Sequence, residues 1–244
     1  MTPSSRGKQQ SGADGAQALP PALRAIALDT NAMPKGVFSE PSLEALLDAV
    51  DESVDIEVWI PEPVLWEWAE HRAREVAEAV ASMHRAQKAL FKSGVAVSIE
   101  AVEPELYSVE RVVEALDDQL RDIRSVRILR CAEEPAVVVA GLRDQVLQLG
   151  PATSAGPDGK RVKTGAADST SFRLIEAAAG DDIVDVVLVS NDQDARVFFR
   201  AGAITIVGSL HELKRLLLDD AVAGDAVLVE DVRAALELHL NRVD

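Results

Sequence analysis

The sequence predicts an α/β protein whose parallel sheet is covered by helices on both faces. Two observations carry this. Short apolar runs of strand length alternate with longer segments in which apolar residues recur every three or four positions. The clearest runs, in residues 25–28 and 184–190, hardly alternate between apolar and polar, as expected of strands buried on both sides. Abundant Ala and Val with few aromatic residues suit the same class.

Residues 24–28 read as the first strand. Leu43, Leu46, Leu47 and Val50 follow at helical spacing. A second strand, 56–61, runs into a long helix that has Pro63 in its first turn and Val76, Val80, Met83 and Leu90 on its apolar stripe. Residues 95–99 are a short strand candidate. Val109, Val112, Val113, Leu116, Leu120 and Ile123 lie on one helix face, and another helix spans about 135–149. The Gly/Pro/Ser-rich stretch 150–165 breaks the pattern and carries Lys160, Arg161 and Lys163. A helix over 166–179, a strand over 184–190 and a strand over 203–209 follow. Ser209 and Glu212 have capping-box spacing at the start of the next helix. A final helix is expected near 229–240. The polar stretch 1–21 reads as a disordered tail, and 221–244 as a C-terminal helical extension.

Composition narrows the function classes. No apolar run is long enough to span a membrane, and the N-terminus lacks the apolar centre of a signal peptide, so a cytoplasmic protein is expected. Cys131 is the single cysteine, which leaves neither a disulfide framework nor a thiolate metal cluster. The formal net charge of −16 repels polyanions. Binding of nucleic acid would need a local basic patch, a cation or a basic partner.

Loops that leave the carboxyl ends of parallel strands are where sites are built in such folds. The first strand ends in Asp29-Thr30-Asn31, and the strand at 184–190 runs into Ser190, Asn191, Asp192 and Asp194. Glu67 sits early in the long helix between Trp66 and Trp68, and Asp168 opens the helix after the basic stretch. Each acid alone is ordinary at a strand end or in a helix first turn. Four from remote segments at one sheet edge repel one another, a pair at 4 Å costing roughly 4 kcal/mol at an effective dielectric of 20. Protonation or a cation relieves that cost. Oxygen donors without Cys or His suit Mg²⁺ or Mn²⁺, which activate water and stabilise phosphoryl transition states. Thr30, Asn31 and Ser190 are placed to hydrogen-bond the carboxylates or metal-bound water. The histidines fall outside these motifs. Trp59 and Trp68 read as core, while Trp66 is open to base stacking.

Four stretches, in this order, resemble the PIN-domain family of metal-dependent ribonucleases: "IALDTNAM" (26–33), "WIPEPVLWEW" (59–68), "KTGAADSTSFRLI" (163–175) and "VVLVSNDQDARVFF" (186–199). The resemblance implies a three-layer α/β/α sandwich around a central parallel sheet. It makes Asp29, Glu67, Asp168 and Asp192 the catalytic, metal-binding acids and Asp194 an accessory metal ligand. It implies Mg²⁺ or Mn²⁺ as cofactor and single-stranded RNA as substrate, cut by a metal-activated water to leave a 3′-hydroxyl. Lys160, Arg161 and Lys163 would hold phosphates beside the metal. The nuclease domain would occupy 22–220, with a helical insertion at about 69–160 that compact members lack. An antitoxin or other protein partner and a homodimer are further partners that the resemblance allows.

Other α/β modules with rim acids fit less well. A haloacid-dehalogenase-type phosphatase needs a second aspartate at the position of Asn31, a response-regulator receiver needs a lysine absent from 203–209, and no Walker-type phosphate loop is present. The rival from another class is a non-catalytic PIN-like module that binds RNA or protein. It would be expected to have lost one of the four acids.

Overall fold

A computed structural model describes residues 18–50, 56–94, 107–149, 153–155, 161–163, 165–199 and 203–224. Its centre is a five-stranded, all-parallel sheet in the order β3-β2-β1-β6-β7. These strands are β1 (Ala25–Leu28), β2 (Glu57–Pro61), β3 (Val126–Leu129), β6 (Val186–Val189) and β7 (Thr205–Val207). β1 is the middle strand, with Ile26 paired to Val58 on one side and Val187 on the other. All four of its residues are fully buried, which accounts for its unbroken apolar run.

The two-residue period of a strand sorts the core into two layers. Ile26, Leu28, Val58, Ile60, Val187 and Val189 face one side. There they meet Leu43 and Leu46 of α1 (Glu40–Ala49), Leu65 and Trp68 of α2 (Glu62–Lys92), Leu116 and Leu120 of α3 (Val109–Arg121), and Leu213 of α7 (Leu210–Gly224). Ala25, Ala27, Trp59, Val186 and Leu188 face the other side and meet Phe172 and Ile175 of α5 (Ala166–Ala179) and Ala195 of α6 (Gln193–Phe198). On that side α4 (Pro135–Leu147) packs against α5. The architecture is a three-layer α/β/α sandwich. No described helix is long and apolar enough to cross a membrane.

Several elements refine the reading of the sequence. Leu19 and Pro20, assigned there to the tail, are buried, and Leu19 belongs to the first core layer. The stretch 69–160, read as a helical insertion, also supplies the edge strand β3. Within it α2 continues well past Ala73, the last of its buried residues, by about 28 Å at the rise of an α-helix. Residues 150–165, read as a loop, contain a two-stranded antiparallel ribbon of β4 (Thr153–Ala155) and β5 (Arg161–Lys163). The strand candidate at 95–99, the helix at 229–240 and most of the tail and C-terminal extension lie outside the described residues.

Candidate active site

Asp29 follows β1 directly, and its backbone N–H donates to the Val189 carbonyl of β6 (3.1 Å), so the sheet itself fixes where its side chain starts. The side chain is only 6% exposed. It caps the 3-10 turn Thr30–Ala32 by accepting from the Thr30 N–H (2.7 Å). Its other oxygen accepts from the Ser190 hydroxyl (2.5 Å) and the Asn31 amide (2.9 Å). Ser190, fully buried after β6, also accepts from the Asp192 N–H (3.1 Å). Asn31 accepts from the Asn191 N–H (3.0 Å). The loops after β1 and β6 are thereby tied together through the Asp29 carboxylate.

The remaining acids arrive from three helices. Glu67, in the second turn of α2, accepts a short hydrogen bond from the Thr30 hydroxyl. Asp168 lies in the first turn of α5, after Gly165 in the left-handed region (φ 85°). Asp192 is the N-cap of α6, accepting from the Asp194 N–H (2.8 Å), which puts Asp194 in that first turn.

Electrostatics bring these residues to one place. Burial, then the charges of Glu67, Asp29, Asp192 and Asp194, push the Asp168 carboxyl up to about 7. Burial, only partly offset by the hydrogen bond from Ser190, raises Asp29, and Asp192 adds to that rise. Burial raises Glu67 as well, against the Thr30 hydrogen bond, with Asp29 raising it and His71 lowering it. Asp194 is raised by burial and by Asp192. Five carboxylates from four segments thus share one electrostatic environment at the carboxyl edge of the sheet, and the charges of the described residues that raise Asp168 are all carboxylates.

Three side chains that sequence reasoning gave no role in this edge hold its loop. The Trp68 indole donates to the Thr30 carbonyl (3.1 Å), His71 Nδ1 pairs with the Gly36 carbonyl (2.6 Å), and Arg72 reaches the Phe38 carbonyl (3.4 Å). With Glu67 they form one face of α2, at the spacing of successive helical turns. Gly36 adopts φ 66°, and a Cβ there would meet His71 Nδ1 at 3.2 Å. The spacing of residues 67, 68, 71 and 72 marks them as one helix face but does not show the loop they hold. Trp59 and Trp68 are core residues as expected, whereas Trp66 is 43% exposed. Of the expected phosphate-binding residues, Arg161 and Lys163 lie on β5, just ahead of Gly165, and Lys160 lies outside the described residues.

As a donor set the acids offer oxygen only, the chemistry of hard divalent cations. In this structure no three described Asp, Glu, His or Cys side chains are arranged to hold a metal ion. Direct ligation by one or two carboxylates with several retained waters is the habit of Mg²⁺, and an open acidic rim suits it better than the closed tetrahedral cage of structural zinc. No protein-family model matches the chain, and no curated protein matches it significantly.

Proposed function

We propose that the protein is a divalent-metal-dependent endoribonuclease of the PIN-domain kind, acting on single-stranded RNA in the cytoplasm. The observation that carries the reading is the convergence of Asp29, Glu67, Asp168, Asp192 and Asp194, where burial and then the neighbouring charges push the Asp168 carboxyl up to about 7. Such crowding of like charge is costly in a site with no other function, and perturbed acids cluster where chemistry is done.

Asp29, Glu67, Asp168 and Asp192 would hold Mg²⁺ or Mn²⁺, with Asp194 as an accessory acid. Once bound, the ion supplies an activated water and neutralises charge developing on the phosphate. The chain's own contribution is orientation. Ser190 and Asn31 fix one Asp29 oxygen, leaving no rotational freedom to a carboxylate that must face a cation. The Thr30 hydroxyl locks Glu67 to the same loop. Burial and the neighbouring carboxylates push Asp168 up to about 7, so a bound cation would favour its ionised form. Lys160, Arg161 and Lys163 would steer the phosphate backbone against the repulsion of the net negative charge.

The test is incubation of the purified protein with fluorescent single-stranded RNA in Mg²⁺, Mn²⁺ or EDTA, beside Asp192→Asn. The reading predicts cleavage that requires the ion and falls at least ~100-fold in the variant, with circular dichroism unchanged. Cleavage that survives EDTA or the substitution contradicts it. With no cleavage by any sample, failure of Mn²⁺ to bind in a calorimetric titration would favour the non-catalytic RNA- or protein-binding module.

A further inference from the structure

Beside the acidic edge lies an open cavity of about 720 Å³, walled by α2, α4 and the first turns of α5. That is within the usual range for small-molecule sites. Glu67 belongs both to its lining and to the acid cluster, so the cavity adjoins the acidic edge. One wall is the exposed Trp66 indole, and Val138 and Leu142, a turn apart on α4, line the cavity too. An aromatic face and aliphatic side chains around one space suit a flat, apolar ring.

The polar atoms of the cavity decide which ring. His71 holds the Gly36 carbonyl through Nδ1 at 2.6 Å, and its Nε2 lies 3.7 Å from Glu70. Glu67 and Glu70 add carboxylates, which only accept. Glu70 meets Arg74 in an exposed pair at 3.3 Å, an interaction that is cheap to exchange. Such an edge selects a base by the donors it presents. Guanine offers an imino N–H beside an amino group, two adjacent donors that match the two oxygens of one carboxylate. Adenine and cytosine offer an amino group next to an acceptor. Uracil places its single N–H between two carbonyls that a carboxylate repels.

We propose that this cavity is a base-recognition subsite that stacks a guanine on Trp66 and reads its donor edge with Glu70. It rests on the nuclease reading only in assigning that guanine to the nucleotide next to the cleaved phosphate, because the binding itself requires neither metal nor turnover.

The test uses ¹H–¹⁵N spectra of the full chain in EDTA, in which the Trp66 indole signal is identified by its loss in Trp66→Phe. Guanosine monophosphate should shift that signal and bind about tenfold more tightly than uridine monophosphate, the discrimination typical of one bidentate contact. Glu70→Gln, which replaces one acceptor by a donor, should bring the ratio close to one while Trp66 still responds. An unmoved Trp66 signal, equal affinity for the two nucleotides, or an undiminished ratio in Glu70→Gln overturns the subsite. Failure of RNA cleavage with an intact guanosine response would remove the nuclease reading and leave the subsite standing.

Discussion

Asp168 shows what the placement of one residue does to its chemistry. The unfolded chain ionises this carboxyl near 3.8, and the folded protein does so near 7. Between those values the folded state holds a proton that the unfolded state has lost. The stability contributed is therefore complete below about pH 4 and lost as the pH rises through 7. From pH 5 to 7 this corresponds to about 3 kcal/mol, and screening at the partly open site reduces it to about 1–2 kcal/mol. Asp168→Asn should escape that loss. Urea unfolding in EDTA should find the variant more stable than the wild type at pH 8 by that amount, with a smaller advantage at pH 5. An advantage that does not change with pH would mean that neither burial nor the charge of its neighbours raises Asp168. The acids themselves were legible because each stands just after a strand or within the first two turns of a helix, and such positions can be read from local pattern. Their supports were less so. Ser190 and Asn31 adjoin the motifs and were identified with them. Trp68 and His71 act through backbone carbonyls of a loop more than thirty residues away, which sequence spacing does not reveal.

At the scale of elements, the position of α5 determines where Asp168 sits, and α4 determines the position of α5. The two helices meet so closely at Gly141 that a Cβ there would lie 2.1 Å from the Thr170 hydroxyl. Nearby, the buried Asp144 carboxylate accepts from Ser169 (2.6 Å) and from Arg173 (2.8 and 3.1 Å), tying α4 to the residue after Asp168. These hydrogen bonds and the Arg173 charge hold Asp144 below the usual carboxylate range despite its burial. Gly141→Ala should therefore force the helices apart, destabilising the protein by about 1–3 kcal/mol in chemical denaturation. Adding Thr170→Ala should recover part of that. A neutral Gly141→Ala would contradict the close approach. The helices and buried strands were readable because their periods run over many residues. α5 begins and ends where its pattern does, and the spacing of Ser209 and Glu212 does mark a helix start. There Ser209 accepts from the Glu212 N–H (3.1 Å), while Glu212 reaches back to the Gly208 N–H (2.9 Å). β3 escaped because it is four residues long, lies at the sheet edge and is only partly buried, with Arg127 inside it. β4 and β5, three residues each in a Gly/Pro-rich stretch, present no period to read.

Across the whole molecule, a formal charge of −16 and an edge of five acids pose one problem, which on the proposed function a divalent cation would answer locally and a basic segment would answer for the RNA backbone. The parallel sheet was legible from alternation of strands and helices, and the carboxyl-edge rule then singled out the loops that carry the acids. Ligation was not legible, because it depends on side-chain rotamers and retained water rather than on spacing. The central claim is that these carboxylates bind a divalent ion, and calorimetric titration of Mn²⁺ into the protein at pH 8, beside Asp29→Asn, tests it most directly. Saturable binding of about one ion per chain, weakened at least ~10-fold in the variant, is the predicted result. No binding by the wild type, or equal binding by Asp29→Asn, would contradict the account.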